Sequence, residues 1–132
     1  MLYTTLIFDL DGTLSDPALW VVRCINFALT SFDQPPRADH EITRHIGPPL
    51  EQILALLSDK DDPAHVSALA ARYRERYSAL GFREHTLYPE AKATLAALKN
   101  YGFRLWVCTS KLRPNAIKIL ELFDLTRFFD FI

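Results

Sequence analysis

At 132 residues, 49% hydrophobic and 12% aromatic, the chain can bury one packed core or two small ones. Fifteen basic and sixteen acidic residues are mixed along it, for a net charge of −1. That balance leaves no basic face for nucleic acid and no acidic tail. The start, Met1-Leu2-Tyr3-Thr4-Thr5, lacks the charged region and small-residue cleavage site of a signal peptide. The longest apolar stretch, Ala18 to Leu29, is interrupted by Arg23 and Asn26 and is too short for a membrane span. A cytoplasmic protein is expected, with Cys24 and Cys108, both in apolar runs, as buried thiols of a reducing compartment.

The first predicted element is Tyr3 to Leu10, a near-continuous apolar strand of the kind buried on both faces of a parallel sheet. It delivers Asp9 and Asp11 onto Gly12. On an extended strand, residues i and i+2 share a face, so the two carboxylates project toward one spot. Carboxylates placed together repel, and a cation between them relieves the repulsion. The pair therefore asks for a hard divalent metal with oxygen ligands, Mg²⁺ first, and so for phosphate chemistry. Asp-Gly after a strand is also a turn signal, and Asp-x-Asp-Gly also opens calcium loops. The calcium loop needs later oxygen ligands, and Leu14, Pro17 and Leu19 stand in their place.

From Ser15 to Arg83 the pattern is helical only. Pro17 opens a helix that runs to Phe32 and is stopped by Gln34-Pro35-Pro36. A short helical segment, residues 39–45, ends at Ile46-Gly47-Pro48. Leu50, Ile53, Leu54 and Leu57 give the i, i+3, i+4, i+7 face of an amphipathic helix. Asp62-Pro63 supplies an N-cap and a first-turn proline for the next helix. Val66, Leu69, Ala70, Tyr73, Tyr77 and Leu80 carry its apolar stripe to Gly81, as a bundle core would. Arg44, His45 and Gly47 sit where a helix meets a Gly-Pro-Pro loop. Arg44 there suits either substrate contact or a solvated surface. His40, His65 and His85 show no ligand spacing and receive no role.

Alternating elements then return. Pro89 opens a helix with Ala91, Leu95 and Leu98 inward, closed by Gly102. Phe103 to Cys108 is a strand that turns polar at Thr109-Ser110-Lys111. Pro114 begins a helix carrying Ile117, Ile119, Leu120 and Phe123, and residues 128–132 start a further strand. This order predicts an α/β parallel sheet with a helical insertion after its first strand. Ligands of such sheets bind beyond the carboxyl ends of the strands, where Asp9, Asp11, Thr109 and Ser110 all fall. Read alone, Thr109-Ser110-Lys111 fits helix capping as well as phosphate binding.

Phe8-Asp9-Leu10-Asp11-Gly12-Thr13-Leu14 resembles the first motif of the haloacid dehalogenase-like hydrolase superfamily, and Val107-Cys108-Thr109-Ser110-Lys111 resembles its second. Residues 87–130 are similar to the stretch around that second motif in phosphoglycolate-phosphatase-like members. The resemblance implies an α/β, Rossmann-like parallel-sheet core, incomplete here, formed by residues 1–14 and 84–132. Residues 15–83 would form an inserted helical bundle cap. It implies a phosphomonoester hydrolase in which Asp9 is the nucleophile and carries an aspartyl-phosphate. Asp11 would be the general acid and base. The Asp9 carboxylate and the Asp11 main-chain carbonyl would hold Mg²⁺. Thr109 and the amides near Gly12 and Ser110 would bind the phosphoryl group. Thr13 would orient the nucleophile or simply cap the turn, and Lys111 would touch phosphate or start the next helix.

The family's third-motif lysine and fourth-motif acidic pair do not occur within these residues. The chain is therefore expected to be the N-terminal part of a longer enzyme, weak alone, with the remaining segment as a possible separate partner chain. The substrate expected is a small phosphorylated metabolite, phosphoglycolate first. The alternatives are a sugar phosphomutase of the same superfamily, an inactive fragment used for binding or assembly, and a phospho-receiver module. A receiver gives no reason for a helical insertion after the first strand.

Overall fold

The computed structural model describes residues 3–132, whose contacts divide them into two units. The N-terminal segment through Pro17 and His85–Ile132 form an α/β unit, and Ala18–Glu84 form a helical one.

In the α/β unit, Thr5–Phe8 is strand β1. It lies parallel to Arg104–Val107, with Thr5 opposite Arg104 and Phe8 opposite Val107. A two-residue strand, Ser15–Asp16 (β2), pairs antiparallel with Thr86–Leu87 (β3), which makes Arg104–Val107 strand β4. The helical reading of residues 15–83 misses this ladder. It also explains why the units divide after Pro17 and before His85 rather than at residues 15 and 84. Burial in β4 alternates, with Leu105 and Val107 inside and Arg104 and Trp106 outside. The core joins Leu10, Leu14, Leu95, Leu105, Val107, Ala116, Ile119, Leu120, Leu125 and Phe128.

Four expectations need correction in this unit. The first strand is not buried on both faces, because its pairing is to β4 alone and Ile7 is 62% exposed. Cys108 is exposed, since it continues the outward parity of Arg104 and Trp106. Residues 128–132 contribute one parallel bridge, Trp106 to Phe131, after a 3-10 turn at Thr126–Phe128. On the last helix, Ala116 rather than Ile117 joins Ile119 and Leu120 in the core.

The helical unit begins with Ala18–Thr30 (α1). Trp20, Val21, Cys24, Ile25, Ala28 and Leu29 recur one turn apart and make its buried stripe. Asn26 then clamps the proline loop, donating to the Arg37 carbonyl at 3.0 Å and accepting from the Arg37 amide at 2.8 Å. Asp39–Thr43 (α2) and Leu50–Leu57 (α3) follow, with Ile53, Leu54 and Leu57 buried. Pro63–Ala79 (α4) buries Val66, Leu69, Ala70 and Tyr73. Leu80 is 50% exposed, because the helix ends before it and a 3-10 turn at Gly81–Glu84 takes over. The remaining helices, both in the α/β unit, are Ala91–Asn100 (α5) and Arg113–Leu122 (α6). Among the described residues, no helix is long and apolar enough to cross a membrane.

The start of α4 is fixed as the Asp62-Pro63 pair suggests: the Asp62 carboxylate accepts from the His65 amide at 3.0 Å. Asp62→Ala is expected to cost about 1 kcal/mol and Asp62→Asn much less, since asparagine caps equally well. Urea unfolding followed by Trp20 fluorescence in a Trp106→Phe background measures both. Equal losses would argue against the cap.

Candidate active site

The ends of β1 and β4 lie side by side, with the Cys108 amide donating to the Phe8 carbonyl at 2.9 Å. Beyond β1 the chain folds around one acceptor. The Leu10 carbonyl receives the amides of Thr13, Leu14 and Ser15 at 3.2, 2.9 and 3.1 Å. Leu10 is fully buried and anchors this turn in the core. Gly12 adopts a φ of 80°, a conformation that side chains disfavour, and its amide donates to the Ser15 carbonyl at 2.7 Å. Gly12 thus serves the turn, and its amide is already committed within it. Strand geometry does not extend to the aspartates, because β1 stops at Phe8. Burial still alternates past that point: Asp9 is exposed, Leu10 is buried and Asp11 is partly exposed.

The two carboxylates have different surroundings. Asp9 faces solvent and accepts from the Leu10 amide at 2.7 Å. Asp11 is held from several sides. Lys111 Nζ lies 2.8 Å from Asp11 Oδ2, and His85 Nδ1 lies 3.7 Å from Oδ1. The Ser15 hydroxyl approaches Oδ1 at 3.5 Å. Burial pushes His85 down to about 3, and the Lys111 charge adds to the shift, so the imidazole is neutral at neutral pH. The ion pair of Asp11 is therefore with Lys111 and not with His85. Lys111 leaves β4 through a small turn in which its amide donates to Thr109 Oγ1 at 3.2 Å.

Asp9, Asp11, Gly12, Thr13, Thr109, Ser110 and Lys111 thus gather at one edge of the α/β unit. Thr13 and Ser110 are exposed and Thr109 is partly buried. Thr13 also lines a cleft of about 220 Å³ with Phe8, Tyr88 and Glu90, which neither aspartate lines. Arg44 belongs to the helical unit, exposed after α2, with its Nε donating to His45 Nε2 at 3.3 Å. Sequence reasoning missed His85 and Ser15, which flank β3 and form β2. A two-residue strand shows no periodicity to announce them.

The donors suit a small hard cation in a limited way. Asp9 offers an open carboxylate, while the Asp11 side chain is taken by Lys111. Among the described residues, no group of three or more His, Cys, Asp or Glu could hold a metal. Such a donor set fits Mg²⁺, which keeps several waters and shares a substrate phosphate, rather than a closed protein cage.

A family model described as haloacid dehalogenase-like hydrolase matches residues 6–132. The tyrosine-protein kinase PtkA of Mycobacterium tuberculosis is 36% identical over 96% of this chain and 42% of its own length. A 5'-nucleotidase of Pseudomonas aeruginosa is 35% identical, over 96% of this chain and 57% of its own. A phosphoglycolate phosphatase of Aquifex aeolicus is 33% identical, over 96% and 58%. The solved structure of a haloacid dehalogenase-like hydrolase from Streptococcus pneumoniae superposes with a TM-score of 0.88 at 29% identity, covering 98% of this chain and 60% of that one. The chain spans about half the length of the curated relatives it matches.

Proposed function

The chain belongs to the haloacid dehalogenase-like hydrolases, and on that premise we propose that it hydrolyses a small phosphomonoester through an aspartyl-phosphate on Asp9. The observation that carries this reading is the unequal setting of the two aspartates: Asp9 is open at the strand end, while Asp11 is fixed by Lys111. An open carboxylate can attack, and a second carboxylate, once its cation is drawn off, can move protons.

In the first step an Asp9 oxygen bonds to phosphorus as the bond to the leaving oxygen breaks, and Asp11 delivers a proton to that oxygen. In the second, Asp11 takes a proton from water as the water oxygen bonds to phosphorus, and the Asp9 carboxylate leaves. The Thr109 hydroxyl and the Ser110 amide would receive the phosphoryl oxygens. The Asp9 carboxylate and the Asp11 carbonyl would hold Mg²⁺, which when bound offsets the charge of the phosphate group. The α/β unit is the proposed catalytic core, and the helical unit the proposed cap that reads the leaving group, Arg44 included. The proposed partners are a small phosphorylated metabolite and a segment supplying a further lysine and an acidic pair. A cytoplasmic location is proposed on the same footing.

Phosphoglycolate is the first substrate to test, with nucleoside 5'-monophosphates second, because two of the relatives bear those names. The test is inorganic phosphate release from a panel of both, with sugar phosphates, in Mg²⁺ and after chelation. Release that disappears on chelation is expected. Isomerisation of a sugar phosphate without release would assign a mutase instead. Silence across the panel would leave a binding module.

A further inference from the structure

We infer that Lys111 is a shared counter-ion: it holds the Asp11 carboxylate while the site lacks substrate and passes to the phosphate group when a phosphomonoester enters. The inference rests on the phosphatase reading above and adds a regulated availability of Asp11 to it. Lys111 Nζ stands 2.8 Å from Asp11 Oδ2, with 10% of the lysine side chain and 28% of the aspartate side chain exposed. The ammonium is thus shielded on most sides, yet Asp11 remains open to an incoming anion.

Four other basic groups of the α/β unit are engaged elsewhere. Lys92 pairs with Asp124 at 3.1 Å, Lys99 with Asp130 at 2.8 Å and Arg127 with Asp124 at 3.2 Å. Arg113 Nε donates to the Ile132 carbonyl at 3.1 Å. Lys111, by contrast, stands on the loop after β4, beside Asp11 and Thr109, where a phosphate would arrive.

A phosphomonoester dianion carries twice the charge of a carboxylate and several acceptor oxygens, so it competes well for one ammonium. The lysine can follow it. Its backbone is pinned by the hydrogen bond to Thr109 Oγ1, while its four-carbon stem can swing the charged head. The same movement releases the Asp11 carboxylate toward the leaving oxygen. Before substrate arrives, Asp11 is occupied; afterward, it can exchange protons.

The test is inorganic phosphate binding, followed by ³¹P NMR or calorimetry, and so is independent of turnover. Four proteins form a cycle: the natural chain, Asp11→Asn, Lys111→Met and the double variant. Lys111→Arg retains the charge, and circular dichroism checks that each variant folds. Asp11→Asn should tighten phosphate binding about fivefold, because it frees the ammonium. Lys111→Met should weaken binding about tenfold, and Lys111→Arg should restore most of it. In the Lys111→Met background, Asp11→Asn should change affinity less than about twofold. Equal tightening by Asp11→Asn in both backgrounds would reduce its effect to simple repulsion and overturn the shared counter-ion. That outcome would leave the phosphate site intact. Failure of the natural chain and Asp11→Asn alike to bind phosphate would overturn the site as well.

Discussion

Asp9→Asn is expected to lower Mg²⁺-supported phosphate release by about three orders of magnitude or more, because an amide oxygen is a far poorer nucleophile than a carboxylate. The substitution separates chemistry from folding unusually well. Asp9 Oδ1 accepts from the Leu10 amide at 2.7 Å, and an asparagine oxygen can accept the same bond. Leu10, fully buried beside it, keeps the turn anchored in the core. A loss of rate with unchanged thermal stability therefore reports on the reacting group. The covalent step adds an independent readout. Acid-quenched protein should carry a hydroxylamine-labile phosphate in the natural chain and none in the variant. Retention of more than about a tenth of the rate would remove Asp9 from the mechanism.

The turn that carries Asp9 was legible because its signals are local. An apolar run, two aspartates and a glycine lie within a few residues, and Leu10 and Leu14 on the same turn join the core. The helix boundaries of the insertion were equally plain at Asp62-Pro63 and at the i, i+3, i+4, i+7 face of α3. Cys108 could have been placed correctly from parity alone. Arg104 marks the outward face of β4, and residues 106 and 108 share it. Its apolar neighbours suggested burial, but a strand in this sheet has an open face.

What stayed hidden depends on contacts distant in sequence. Lys111 and Asp11 are one hundred positions apart, and no spacing rule couples them. The pairing of β2 with β3 brings His85 next to Asp11, yet each strand has two residues and so no readable period. The candidate site residues could therefore be named from sequence, whereas the ion pair that restrains Asp11 could not.

The second large effect is expected in the helical unit, where Glu84→Gln should cost about 2–3 kcal/mol, somewhat below the loss for a fully buried pair. Glu84 receives Arg76 through two bonds, at 2.7 and 3.0 Å, and Arg23 at 2.8 Å. The Arg76 and Glu84 side chains are each 15% exposed, so water relieves only part of a broken pair. Arg76 also approaches Cys24 Sγ at 3.4 Å, which cannot replace a carboxylate. These bonds join α1, α4 and the final turn of the unit. Its first residue, Ala18, and its last, Glu84, adjoin the α/β unit in sequence, so the clamp steadies the ends of the insertion.

The Arg76 hydrogen bonds hold the Glu84 carboxyl below its ordinary range, and Glu84 in turn raises the Arg76 guanidinium. A depressed carboxylate stabilises the fold fully above its unfolded value of about 4.3 and loses that contribution as pH falls through the folded value. Melting of the natural chain, read from Trp20 in a Trp106→Phe background, should therefore drop below about pH 4 more steeply than that of Glu84→Gln. Replacing both partners, as Arg76→Met with Glu84→Met, should recover most of the loss, because the charge left without its partner, Arg23, is half exposed to solvent. A double variant no more stable than Glu84→Gln, or identical pH slopes, would show that packing rather than charge holds the insertion closed.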